Sequence, residues 1–363
     1  MNEYLPDYRF VVINIIIMMV QFVTYKDEYR YRTSYISDNY FYIALSLMAY
    51  SVFAFAELDT YSYHRIYDEM RYTHSKIHVE SFYFWLAQNI TNYYLWRFII
   101  WGLATFFLIK SLKCFEIDSN TAGLIIPIFI YYQFALTRGS LGLSLMLFAL
   151  AYTGNRPTNH KYWLISIIAL IICVQLHRSI IVFMLLIPVA YFIPFSKKFI
   201  WISILLFPFL YKIISIVPSL LIESIAFSED VKSMGELYLG QDASEINTNG
   251  LLRIIYNLSG VLLTLTLTTK YMIEQREEIS PSLIFLQKYG FILVYISFLF
   301  LGQPMANFIS SRTLHAASFP LLITTCFYYQ SVERTRSNKL ALFLLGSYTF
   351  LFNVCYYFYL WHH

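Results

Sequence analysis

The stretch Tyr162-Trp-Leu-Ile-Ser-Ile-Ile-Ala-Leu-Ile-Ile-Cys-Val-Gln-Leu176-His177-Arg178-Ser179-Ile-Ile-Val-Phe-Met-Leu-Leu-Ile-Pro-Val-Ala-Tyr-Phe192 decides the fold. It consists of two apolar runs joined by one short charged turn. Each run is about 16 residues, or ~24 Å as an α-helix, slightly less than the ~30 Å hydrocarbon layer of a bilayer. The pair therefore reads as two membrane spans whose connecting turn lies below the outer surface.

Similar runs recur along the whole chain. Of 363 residues, 58% are hydrophobic and 13% charged, against ~25% charged in a soluble domain, and the mean hydropathy is +0.54. The expected spans are approximately 8–24, 40–57, 93–110, 121–137, 139–154, 162–176, 179–194, 199–218, 251–270, 285–302, 313–329 and 340–360. A β-barrel would alternate apolar and polar residues over ~10-residue strands. Leu124 to Tyr131 is apolar throughout, so the expected fold is all-α, polytopic, with about twelve transmembrane helices. The first run, Phe10 to Val23, follows acidic Glu3 and Asp7 and lacks a small-residue cleavage pattern, so it reads as a retained helix. Cys114, Cys173, Cys326 and Cys355 are too scattered for a metal motif or a disulfide framework.

Orientation follows the basic loops. Lys26, Arg30 and Arg32; Lys110 and Lys113; Arg156 and Lys161; Lys197 and Lys198; Lys270, Arg276 and Lys288; and Arg334, Arg336 and Lys339 all fall on alternate loops, which are assigned to the cytoplasm. The longer segments at about 58–92 and 219–250 carry acids such as Asp68, Glu223, Asp230 and Glu236 and face outward, as do both termini. Residues 1–363 read as a single membrane domain. Many of the 33 tyrosines sit at span ends, where the amphipathic ring suits the interface.

A few ionisable residues at outer span ends are not explained by topology. Arg138 lies in Ala135-Leu-Thr-Arg-Gly-Ser-Leu-Gly142, His177 and Arg178 lie in the turn quoted above, and Arg312 ends Asn307-Phe-Ile-Ser-Ser-Arg312. Interfacial snorkelling could account for any one of them. Three recessed arginines on one side, one of them beside a histidine, point instead to a polar cavity. Their planar forks suit phosphate or pyrophosphate oxygens, and His177 suits a general base toward a hydroxyl or a structural turn histidine. Arg97 is a further candidate for the same site, but it opens a span, and snorkelling suffices for it. In the first outer segment Asp59, Tyr63 and Tyr67 recur every four residues, one face of a helix, and could hydrogen-bond and stack on a sugar. Glu80 opens an amphipathic stretch running to Asn92. No HExxH motif or His-rich cluster is present, so no metal site is assigned, although outer acids could hold Mg²⁺ or Ca²⁺. No Walker loop is present, so energy from a nucleotide is not indicated, and no nucleic-acid partner is expected.

These residues resemble the EpsG family of bacterial exopolysaccharide and O-antigen polymerases, the Wzy-type enzymes. The resemblance rests on Asp59-x-x-x-Tyr63-x-x-x-Tyr67, Glu80, Arg138 closing the fourth span, His177-Arg178-Ser179 and the late Arg312. It implies a membrane glycosyltransferase of the bacterial cytoplasmic membrane that needs no cofactor. Such an enzyme transfers a growing undecaprenyl-pyrophosphate-linked glycan to the non-reducing end of another lipid-linked repeat unit on the outer face. Its partners would be lipid-linked donor and acceptor, membrane lipid and a chain-length regulator protein. His177, Asp59 and Glu80 would be the catalytic candidates, Arg138, Arg178 and Arg312 would hold the pyrophosphate, and Tyr63 and Tyr67 would contact sugar. A related ligase-type transferase would use the same residue types, and a lipid-linked-sugar flippase would also suit twelve spans.

Overall fold

The computed structural model describes residues 58–72, 80–129, 137–154, 160–177, 180–224, 264–301 and 306–331, with positions 16, 19, 261, 262, 340 and 344. Among the described residues the regular structure is helical and no strand occurs. The helices are α1 (Leu58–Tyr72), α2 (Ser81–Asn89), α3 (Tyr93–Cys114), α4 (Ser119–Phe129), α5 (Thr137–Gly154), α6 (His160–Leu176), α7 (Ile180–Phe192), α8 (Lys197–Ser224), α9 (Pro281–Phe300) and α10 (Ala306–Ser331), with helical residues 264–274 preceding α9. Apart from those single positions, the spans expected at 8–24, 40–57 and 340–360, most of the segment 219–250 and the first half of the span expected at 251–270 lie outside the described residues.

Among the described residues two helices, α3 with 22 residues and α9 with 20, are long and apolar enough to cross a membrane. Shorter apolar helices cover Gly139–Gly154, Lys161–Leu176 and Ile180–Phe192. The distribution of side chains fits a lipid solvent. Leu164, Ile171, Leu185, Phe192, Trp201, Leu205 and Phe209 are exposed, whereas Ser140, Ser144, Thr268, Gln287, Ser297 and Ser310 are buried. In water so much exposed apolar surface would be a severe liability. In a bilayer, where helices associate through small and polar residues, it is the expected arrangement.

Several boundaries differ from the sequence reading. The start of α9 is set by Ser280, whose side chain accepts from Leu283 N–H at 3.4 Å, and by Pro281 in the first turn. Lys288, read as part of a basic loop, is therefore inside a helix. It is buried and its Nζ donates to the carbonyls of Ile193 (2.6 Å) and Tyr191 (3.2 Å), supplying donors that the end of α7 lacks. α8 extends beyond 199–218 at both ends. α10 begins well before 313, because Asn307, Ser310 and Ser311 lower hydropathy without opposing helix, and Arg312 stands in its second turn rather than ahead of it.

The chain divides into two compact units, residues 1–185 with 322–363, and residues 186–321. In the first, α2 packs on α1, α3 and α6, and α5 packs on α3 and α6. α5 and α6 run antiparallel. Thr153 Oγ1 bonds Ser166 Oγ near one end of the pair, and Ser166 Oγ donates to Ala149 O at 3.0 Å. The turn from α3 to α4 reverses through Glu116, whose φ of 53° is left-handed. Ile117 N–H bonds Leu112 O (3.1 Å) and Glu116 N–H bonds Lys113 O (3.2 Å), the Schellman pattern. The amide of Gln330 clamps this turn, donating to Glu116 O (2.9 Å) and accepting from Asp118 N–H (3.0 Å). In the second unit α8 packs on α9. Gln287 donates to the hydroxyls of Thr268 (2.8 Å) and Thr269 (2.9 Å), and Ser297 donates to Ser310 O (2.8 Å).

Candidate functional site

His177 is the residue on which α6 turns into α7. Its N–H bonds Cys173 O at 2.9 Å, closing α6, and its carbonyl accepts Ile180 N–H at 3.0 Å, opening α7. The turn presses on α5 at Gly142. A Cβ there would run into Ile180 Cδ1 and come within 3.5 Å of His177 Cβ and 3.6 Å of Cys173 O. Glycine thus permits the approach that sets the height of His177 against α5.

Glu80 occupies the N-cap of α2 but does not cap it with its side chain. Its backbone carbonyl accepts Tyr83 N–H (3.1 Å) and Phe84 N–H (3.3 Å), while Oε1 lies 3.4 Å from His177 Nδ1. The two side chains are 8% and 15% exposed. An ionised carboxylate only accepts hydrogen bonds, so facing Glu80 the imidazole carries its proton on Nδ1, and Nε2 becomes the basic nitrogen. This is a buried acid orienting a histidine, the arrangement used for general-base chemistry.

An aromatic cluster supports α2 from the other side. Trp96 Nε1 donates to Tyr83 O at 3.3 Å, and the Trp96 ring meets Tyr67 (centroids 5.6 Å), Tyr83 (6.3 Å) and Tyr93 (6.0 Å). His64 stacks on Tyr93 at 4.4 Å. Tyr67 is 2% exposed, and its hydroxyl donates to Ile90 O at 2.6 Å. Arg71 Nη1 donates to the same carbonyl at 3.0 Å, and Gln88 Nε2 bonds Met70 O. Burial pushes the Tyr67 phenol above its usual value, with the Arg71 charge opposing. Tyr67 is thus a neutral donor that ties α1 to α2.

One turn of α2 separates Glu80, beside His177, from Tyr83, beside Trp96. The N-terminal ends of α3 and α5 consequently sit at the same end of this unit. Arg97 follows Trp96 and is 2% exposed, so snorkelling does not account for it.

The structure brings Glu80 and His177 together across 97 positions of sequence. Asp59 and Tyr63 lie in α1, two turns and one turn before Tyr67. Arg138 is in the first turn of α5. Arg178 is outside the described residues, between described His177 and Ile180. Arg312, partly buried, belongs to the second unit. Among the described residues no three His, Cys, Asp or Glu side chains converge as a metal would require. Sequence reasoning missed Gly142 as a functional position, and it named Arg97 as a candidate for the same site while giving snorkelling as a sufficient account of it. Gly142 closes the same motif as Arg138, and Tyr93, Arg97, Trp101 and Thr105 recur every four residues on the buried face of α3.

The family model described as EpsG family matches residues 39–363 of the chain. No curated protein matches it, and no solved structure does.

Proposed function

This chain belongs to the EpsG family, and from that premise we propose that it is a membrane polysaccharide polymerase acting on undecaprenyl-pyrophosphate-linked glycans. The buried Glu80–His177 pair carries the reading. The acceptor is the non-reducing-end hydroxyl of one lipid-linked repeat unit, and the donor is the glycan on a second lipid carrier. His177 Nε2 takes the hydroxyl proton as the oxygen bonds the anomeric carbon of the donor. The bond from that carbon to the pyrophosphate breaks, and the electron pair leaves with lipid pyrophosphate. Glu80 orients the ring through Nδ1 and stabilises the imidazolium that forms. Pyrophosphate is already a good leaving group, so the remaining need is cationic stabilisation of developing charge, assigned to Arg138 and Arg178. Asp59 and Tyr63 are proposed to contact the sugar, whereas Tyr67, expected from the sequence to do the same, is buried with its hydroxyl on Ile90 O and holds their helix against α2.

The proposal includes the topology read from the basic loops: about twelve spans in the bacterial cytoplasmic membrane, both termini outside, and the site opening outward. A chain-length regulator protein would be a natural partner for such an enzyme.

The test is the glycan ladder of a deletion strain rescued with wild type, His177→Ala or Glu80→Gln, with membrane levels checked by blot. Wild type restores the ladder. His177→Ala, accumulating normally, leaves a single repeat unit, as loss of a general base worth about 100- to 10,000-fold requires. An intact ladder with His177→Ala removes this residue from the chemistry, and a ladder unchanged by the deletion itself would favour a flippase.

A further inference from the structure

Arg97 lies inside the first unit with an unmet bonding capacity. Its Nη1 donates to the Tyr93 hydroxyl at 3.4 Å, a long bond. Nε and Nη2 are buried and have no hydrogen-bond partner among the described residues. Those two nitrogens share one edge of the guanidinium plane, the edge that presents parallel N–H donors to two oxygens of a phosphate or carboxylate. A guanidinium does not escape burial by losing its proton as an amine does. Burying the charge with two donors unmet is strongly unfavourable, and an apolar side chain of similar length would suit a merely structural position better.

Its place in the unit connects this edge to the candidate chemistry. Arg97 follows Trp96, which bonds Tyr83 O, and Tyr83 is one turn along α2 from Glu80. Tyr93, which takes the third nitrogen, stacks on His64 of α1. The guanidinium is therefore held through one nitrogen, and its bidentate edge is buried without a hydrogen-bond partner among the described residues, at the end of the unit that carries the Glu80–His177 pair.

We infer that the Nε–Nη2 edge of Arg97 binds an oxyanion of the glycan substrate, taking two oxygens of one group. That group is a phosphate of the lipid pyrophosphate or a sugar carboxylate, which present the same paired oxygens. The identity of the substrate rests on the polymerase reading, but anion binding is tested without turnover.

The full-length chain, purified in detergent, is titrated at constant ionic strength with inorganic pyrophosphate and, separately, with glucuronate, and the thermal unfolding midpoint is read. The midpoint of wild type rises with at least one of them. A pyrophosphate response identifies the phosphate source, and a glucuronate response the acidic sugar. Arg97→Gln abolishes the rise. Arg97→Lys keeps the charge without the fork and shifts the half-maximal concentration upward by about tenfold or more, so it carries the comparison even where the glutamine variant fails to accumulate. No rise in wild type, or an equal response in wild type and the lysine variant, overturns the proposal. Failure of the polymerase reading is recognised separately, as an intact glycan ladder with His177→Ala whatever the anion response.

Discussion

Glu80 and His177 are each legible in the sequence as polar residues at the edges of apolar stretches, but nothing in their spacing joins them. The pair exists because an N-cap glutamate leaves its own helix uncapped and reaches a turn between two other helices. A glutamate in that role acts only through the histidine, so the two substitutions should not add. In a chain-extension assay, Glu80→Gln is expected to lower the rate by about 10- to 100-fold, and Glu80→Gln combined with His177→Ala to be no slower than His177→Ala alone. Additive losses would mean that Glu80 meets substrate independently. Elsewhere, Glu116 holds a left-handed backbone that glycine adopts without strain. Glu116→Gly should raise stability by roughly 0.5–1 kcal/mol, read as a higher unfolding midpoint with unchanged activity.

At the level of elements, hydropathy located α3, α5, α6, α7 and α9 because each buries its backbone polarity within itself, a requirement local to the segment. It misplaced the start of α10 and the setting of Lys288 because polar residues such as Ser310 and Lys288 find partners on other segments, which no window of sequence contains. The α5–α6 contact at Gly142 is of the same kind. Gly142→Ala should crowd Ile180 and shift the His177 turn, lowering extension by about tenfold through a displacement under 1 Å. Gly142→Leu should abolish extension while the protein still reaches the membrane. Normal extension by Gly142→Leu would show that the height of the turn does not matter. Gln330→Leu removes both bonds to the α3–α4 turn and should destabilise by about 1–2 kcal/mol, seen as a lower unfolding midpoint.

For the whole molecule, the outward-facing Ile, Leu, Phe and Trp side chains and the inward-facing Ser, Thr and Gln require a lipid solvent. The chain should stay in the pellet after an alkaline carbonate wash, and recovery in the supernatant would contradict that. The proposed orientation is checked by single cysteines and a membrane-impermeant maleimide. Ser75→Cys and Asn247→Cys should label in intact cells, and Ser196→Cys only after permeabilisation. The reverse pattern would invert the topology and place the candidate site on the wrong face for an outward-acting polymerase.

The sequence by itself determined the solvent and the helical class, because these depend on composition and on apolar run length, which are properties of each segment alone, and its motifs around Asp59, Arg138, His177 and Arg312 carried the family resemblance. Only the tertiary structure decided that Glu80 meets His177, that Tyr67 ties α1 to α2, that Lys288 caps α7, and that Arg97 is buried with one edge unmet. The first three are contacts from a side chain of one segment to a side chain or backbone carbonyl of another, and the last is a burial that packing imposes. Their spacing is set by how closely backbones approach, at Gly142 above all, and that distance is a property of packing which no single segment encodes.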